Sequence, residues 1–195
     1  MPGSSQTGPP PGTPAAMTGR EVERTISRLA HEIAERLGDP SGYMLVGIVT
    51  GGGTLARRIA DVLAATEGTR PRLGSVDITL YRDDLYTGLE KPVLGETQIP
   101  SDLTGMGVVL VDDVLFTGRT VRAALDELMD YGRPAFIKLA VLIDRGHREL
   151  PIAADFVGRT LPTEKRDRVV VRLVGDGSAQ DEVEVLAARQ AGEGR

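Results

Sequence analysis

The sequence predicts an α/β fold, a parallel sheet with helices on both faces, and three observations predict it. The apolar runs at residues 43–49, 108–111 and 135–143 are unbroken rather than alternating. Helical apolar patterns separate them, and a length of 195 residues suits one main domain. Strands buried on both faces read as continuous apolar runs, and parallel neighbours need crossovers that lay helices over the sheet.

Residues 1–17 are almost all Pro, Gly, Ser, Thr and Ala. Such a composition buries too little apolar surface to offset its ordering entropy, so this stretch reads as a disordered tail. A single domain is expected over 18–187, with 188–195 as a second loose end. Thr18 and Glu21 form a capping-box pattern, and Val22, Ile26, Leu29, Ile33 and Leu37 recur at helical spacing up to Gly38-Asp39-Pro40. The strand at 43–49 ends in Thr50-Gly51-Gly52-Gly53, and Leu55, Ile59, Val62 and Leu63 mark a second helix. Residues 76–80 (VDITL) alternate as a strand, followed by a polar stretch over 81–104 with few apolar anchors. An irregular segment of that length is more often a functional loop or hairpin than a linker. Residues 108–111 form the next strand, then come Asp112-Asp113, a turn, and a helix over about 120–131 with Val121, Leu125 and Leu128 inward. A buried strand at 135–143 and short strands near 155–157, 169–174 and 182–186 complete the pattern.

Positive and negative side chains number 23 and 28, a net charge of −5, which argues against a protein that coats nucleic acid by bulk charge. Without cysteine there are no disulfides, thiolate metal sites or cysteine nucleophiles. Aromatics are 4% and Trp is absent, which leaves little for base-stacking platforms. No apolar run approaches the roughly 18 residues needed to span a bilayer, and the N-terminus lacks a secretory pattern. The expected location is the cytoplasm, with no membrane partner.

In open parallel sheets ligands bind outside the carboxyl ends of the strands. The segments after Val49, Leu80 and Val111 therefore share one rim. Residues 108–120 read VVLVDDVLFTGRT. Val108, Val109, Leu110 and Val111 deliver two carboxylates, Asp112 and Asp113. Past Val114, Leu115 and Phe116, the short loop Thr117, Gly118, Arg119 and Thr120 opens a helix. Amides at a helix N-terminus bind anions, glycine allows close approach and threonine hydroxyls add donors, so the loop suits a phosphate. The carboxylates suit paired hydroxyls such as those of a ribose. A sugar phosphate fits both halves. A dinucleotide site fits poorly, because Gly51-Gly52-Gly53 lacks the GxGxxG spacing, and no GxxxxGK phosphate loop is present.

This pattern closely resembles the phosphoribosyl-diphosphate signature of type I phosphoribosyltransferases. ITLYRDDL at 78–85, DRGHRELPI at 144–152 and RLAHEIAERL in the first helix resemble the bifunctional pyrimidine operon attenuators and uracil phosphoribosyltransferases, over roughly residues 20–174. The resemblance implies the type I phosphoribosyltransferase fold, a parallel-sheet core flanked by helices with a small hood. It implies conversion of uracil and phosphoribosyl diphosphate to UMP and diphosphate. It further implies UMP sensing, binding to the mRNA leader of pyrimidine genes, and a homodimer or higher homo-oligomer. By the same resemblance Thr117 to Thr120 take the 5′-phosphate and Asp112 and Asp113 the ribose hydroxyls. Thr50, Gly51 and Gly52 form the diphosphate turn, and Arg82, on a mobile loop of about 82–104, is the cation for the leaving group. Arg145, Gly146 and His147 flank the base, while Ser27, His31, His147 and Arg148 belong to the RNA surface. Mg2+ is the implied cofactor, held mainly by substrate, with Asp112 or Asp113 as its protein contacts if any. The phosphate motif alone leaves open another base-specific salvage phosphoribosyltransferase without RNA regulation.

The chain departs from the family where the first turn carries Thr-Arg-Gly, because Gly51 replaces the arginine. A charge-assisted hydrogen bond is worth about 1.5–3 kcal/mol, so transferase activity is expected to be weak. Arg57 or Arg58 on the next helix is the candidate substitute, and Gly51→Arg is expected to raise turnover. On the first helix Arg20, Arg24, Ser27 and His31 fall on one polar stripe, with Glu35 nearby.

Overall fold

The computed structural model describes residues 15–49, 51–78, 97–99 and 102–188. Thr50, Arg82 and most of the 82–104 loop therefore lie outside the described residues, as do most of the N-terminal tail and residues 189–195.

Helix α1 (Gly19–Leu37) starts where expected, with the Glu21 carboxylate accepting from both the amide and the hydroxyl of Thr18 at 2.9 Å. Strand β1 (Tyr43–Ile48) is buried along its whole length and leads into α2 (Gly51–Glu67). Then follow β2 (Arg72–Val76), β3 (Gly107–Leu115), α3 (Arg119–Met129), β4 (Phe136–Asp144) and β5 (Phe156–Thr160). These five strands form one parallel sheet in the order β2-β1-β3-β4-β5. Strands β6 (Arg168–Arg172) and β7 (Glu182–Leu186) make a separate antiparallel pair, the hood.

Alternate residues of β3 enter different cores, as the two-residue period of a strand requires. Val109 and Val111 pack with α1 and α2, whereas Val108 and Leu110 pack with α3. The sheet is covered on both faces. No helix among the described residues is long and apolar enough to cross a membrane.

Three boundaries differ from the sequence reading. The second strand lies at Arg72–Val76, so that of the described part of the expected 76–80 run only Val76 belongs to it, because its register against β1 (Met44 opposite Arg72, Ile48 opposite Val76) decides it. Gly74 hid that strand from propensity, but close packing explains the glycine: a Cβ there would crowd the Gln98 carbonyl at 3.1 Å. Strand β3 runs through both acids to Leu115, because β4 continues to pair with it after β1 has ended. Met17, assigned to the tail on composition, is fully buried and exchanges two backbone hydrogen bonds with Val183 of the hood.

Residues 97 and 98 of the long polar segment lie against β2 at the sheet edge. Ser75 and Gln98 exchange backbone hydrogen bonds of 3.0 and 2.8 Å, and the Asp77 amide donates to Thr97 Oγ1 at 3.1 Å.

Candidate active site

Strands β1 and β3 are neighbours, yet α2 covers one face of the sheet and α3 the other. At such a switch point the loops leaving the two strands diverge and open a crevice. A cavity of about 500 Å³ occupies it, lined by Gly51, Asp112, Asp113, residues 114–121, Arg145 and residues 168–171 of β6.

Its acidic wall comes from the end of β3. Asp112 is only 6% exposed and its Oδ1 accepts from the Asp113 amide at 3.1 Å, while Asp113 Oδ1 accepts from the Val114 amide at 2.9 Å. The start of α2 abuts this wall so closely that side chains are excluded there. A Cβ on Gly52 would run into the Val111 carbonyl, and a Cβ on Gly51 would run into the Asp113 carboxylate. The space an arginine stem would need at 51 is thus already filled. The two candidate substitutes are engaged elsewhere. Arg57 donates to Thr54 Oγ1 at 2.8 Å, and Arg58 donates to both carboxylate oxygens of Asp181 at 2.7 Å, tying α2 to the hood.

The next wall is the loop into α3, the expected phosphate loop. Gly118 adopts φ +92° as the N-cap, a left-handed conformation that favours glycine, and its carbonyl accepts the first helical bond, from Arg122, at 3.0 Å. The Arg119 amide meets the Thr117 hydroxyl at 3.3 Å, and because the first amides of a helix have no acceptor within it, this helix start is suited to an anion.

Behind this loop lies the turn after β4. Glu149 and Leu150 donate their amides to the Thr117 carbonyl at 3.0 and 3.1 Å. Arg145, 6% exposed, stacks over the Phe116 ring at 4.1 Å and donates to the carbonyls of Asp167 and Glu164, both at 2.8 Å. Burial draws its pKa below the ordinary arginine value, against the opposing pull of Asp167. His147 meets Phe116 edge-on with centroids 6.1 Å apart, donates from Nε2 to Thr163 O at 2.7 Å, and holds φ +61°. Arg148 donates to four carbonyls and to Asp144. Glu149 bridges Arg119 at 3.1 Å and Lys165 at 3.0 Å, and hydrogen bonds from Lys165 and Arg119 hold its carboxyl below the usual range.

Asp112 to Thr120, Gly51 and Arg145 are therefore brought to one cavity. Val108, Val109, Leu110 and Val111 are fully buried and deliver the motif from the core. Gly52 packs beneath the acids, and Gly146 and His147 lie in the supporting turn. Ser27 and His31 are on α1, where His31 Nδ1 donates to the Ser27 carbonyl at 2.6 Å. Sequence reasoning missed the roof, Arg168 and Val169 to Val171, because a β-branched run signals a strand and not a ligand.

Among the described residues no group of three or more His, Cys, Asp or Glu is arranged to hold a metal ion. Two adjacent carboxylates remain. Mg2+ is commonly held by one or two carboxylates, substrate phosphates and water, so Asp112 and Asp113 fit a cation carried largely by substrate.

The phosphoribosyl transferase domain model matches residues 17–172. The bifunctional protein PyrR of Chloroflexus aurantiacus is 56% identical over 170 residues, covering 87% of this chain and 93% of that protein. That of Deinococcus radiodurans is 53% identical over 157 residues, covering 80% and 86%. Solved structures with the same fold include a hypoxanthine phosphoribosyltransferase of Trypanosoma cruzi, with a TM-score of 0.67, 21% identity and coverage of 89% and 91%. A hypoxanthine-guanine phosphoribosyltransferase of Bacillus anthracis gives 0.67 at 15% identity, with coverage of 89% and 97%.

Proposed function

The chain belongs to the phosphoribosyltransferase family, in its bifunctional PyrR branch, and from that membership we propose that it makes UMP and diphosphate from uracil and phosphoribosyl diphosphate and binds pyrimidine-gene mRNA in response to UMP. The observation that carries the reading is one cavity with two carboxylates on one wall and a helix-start anion loop on the next.

The amides and threonine hydroxyls of residues 117–120 hold the 5′-phosphate, and Asp112 and Asp113 accept from the ribose hydroxyls. This fixes the anomeric carbon below a base pocket formed by Phe116 and the β6 roof. The bond from that carbon to the diphosphate oxygen breaks, the electron pair leaving with diphosphate. A bond to N1 of uracil forms and the N1 proton passes to solvent. Carboxylate charge near the ribose favours an oxocarbenium-like centre, so catalysis is positioning and electrostatics, without a protein nucleophile. Mg2+, carried on the substrate and contacting Asp112 or Asp113, would supply charge neutralisation for the leaving group.

RNA binding is proposed for the exposed stripe of α1. Arg20, Arg24 and His31 are exposed there, with Ser27 half-buried between them. Because the Nδ1 proton of His31 is engaged, Nε2 is left for a partner. A homodimer would pool two such stripes.

The test is UMP formation from uracil, phosphoribosyl diphosphate and Mg2+, with an Asp112→Asn, Asp113→Asn double variant as the blank. Two charge-assisted hydrogen bonds lost at about 1.5–3 kcal/mol each predict a drop of roughly 10²–10⁴-fold. Folded wild-type protein that binds UMP but turns nothing over would leave the cavity as a nucleotide sensor, and failure to bind UMP would overturn both activities.

A further inference from the structure

The carbonyls of three successive residues before α3 all turn to the segment after β4. Leu115 O accepts from the Arg145 amide at 3.1 Å and from Arg148 Nη1 at 3.4 Å. Phe116 O accepts from Arg148 Nη1 at 2.7 Å, and Thr117 O from the amides of Glu149 and Leu150. A trans peptide is planar with its N–H opposite its C=O. Turning the Phe116 and Thr117 carbonyls down therefore turns the Thr117 and Gly118 amides up, into the cavity that both residues line.

The side chain in this arrangement is Arg148. Its Nε donates to Ile152 O at 3.0 Å, Nη1 also to Gly146 O at 3.0 Å, and Nη2 to Asp144 Oδ2 at 2.5 Å. The side chain is 22% exposed, and Asp144 compensates its charge. We propose that Arg148 is a positioning residue for the anion loop, aiming the Thr117 and Gly118 amides at the substrate phosphate while touching no substrate itself. The inference rests on the sugar-phosphate reading of the cavity and adds the group that gives its loop shape.

Only a planar fork can reach carbonyls on both sides and a carboxylate at once. Lysine keeps the charge but is a compact point donor on a flexible stem. Arg148→Lys therefore separates two roles. A residue that attracts RNA phosphates would be largely preserved by lysine, whereas a residue that shapes the loop would not.

Three readouts are compared for wild type, Arg148→Lys and Asp144→Asn, the last removing only one anchor. The first is steady-state kinetics with phosphoribosyl diphosphate varied. The second is amide hydrogen exchange at Thr117 and Gly118 in ligand-free protein, and the third is affinity for a pyrimidine leader RNA at saturating UMP. Arg148→Lys is expected to raise KM for phosphoribosyl diphosphate about tenfold or more while kcat stays within about threefold, the mark of lost ground-state binding. Exchange at the two amides is expected to quicken, and RNA affinity to stay within about threefold. Asp144→Asn should move KM and exchange the same way by less. Unchanged KM and unchanged exchange in Arg148→Lys would overturn the proposal, because a residue that acts by charge alone is what lysine replaces. If wild type turns nothing over, the transferase reading fails and amide exchange alone still decides the role of Arg148.

Discussion

Replacing Gly51 separates the two accounts of the diphosphate turn. The resemblance seen in the sequence treats Gly51 as a missing arginine, so restoring it should gain a charge-assisted hydrogen bond of about 1.5–3 kcal/mol, or roughly 10- to 150-fold. The structure adds a cost of similar size. A Cβ at 51 would run into the Asp113 carboxylate and lie 2.9 Å from Asp113 Cβ, closer than real Cβ contacts come. Asp113 must then leave the rotamer in which Oδ1 accepts from the Val114 amide at 2.9 Å. Losing an amide bond to a carboxylate costs about 1.5–3 kcal/mol, so gain and loss nearly cancel in Gly51→Arg. Gly51→Ala carries the loss without the gain. Its kcat/KM for phosphoribosyl diphosphate, from UMP formation with that substrate varied, should fall about tenfold or more, while Gly51→Arg should stay within about tenfold of wild type. An alanine variant within twofold of wild type would refute the argument, since Asp113 would then relocate at no cost. A gain of well over tenfold in Gly51→Arg would refute it from the other side.

Two further outcomes concern stability. Arg58→Ala strands Asp181, which is 10% exposed and also accepts from the Val174 amide at 2.8 Å. About 1–2 kcal/mol should be lost, a fall in Tm of roughly 2–8 °C by thermal melting, and a change under 1 °C would mean that α2 does not anchor the hood. Burial pushes the Asp155 carboxyl up, but the Lys138 ammonium at 2.8 Å and the Leu139 amide at 2.9 Å outweigh it and hold the pKa below the usual carboxylate value. A lowered folded-state pKa stabilises above the unfolded value, near about 3.9, and that contribution is lost as pH falls through the folded pKa. The Tm gap between wild type and Asp155→Asn should therefore be widest near pH 6 and shrink below about pH 4. A gap independent of pH would contradict the assignment.

The helices and the inner strands were legible in the sequence because their signals are local. The apolar period of Val22 to Leu37 and the unbroken run into Asp112 each report burial within one segment. The acids and the helix-start loop were legible for the same reason, since 13 contiguous residues carry both. Strand β2 was not, because its place depends on register against β1, and β3 outran its expected end because β4 still paired with it.

Arginines show the limit most sharply. From sequence, Arg58 reads as a cation near the diphosphate, Arg145 as one beside the base and Arg148 as one on the RNA surface, and nothing local tells which of them is held by the fold. What distinguishes them is the acceptor, which lies far away in the chain: Asp181 is 123 residues from Arg58, Asp167 O is 22 from Arg145, and Phe116 O is 32 from Arg148. A guanidinium whose donors meet backbone carbonyls is held by groups that carry no formal charge and cannot exchange it for a ligand without being left unpaired. Such an arginine shapes the site, whereas one facing solvent on α1 remains available to a polyanion. The DRGHRELPI string is thus better understood as the underside of the loop into α3, because the Arg148 side chain and the amides of Arg145, Glu149 and Leu150 satisfy the carbonyls of Leu115, Phe116 and Thr117.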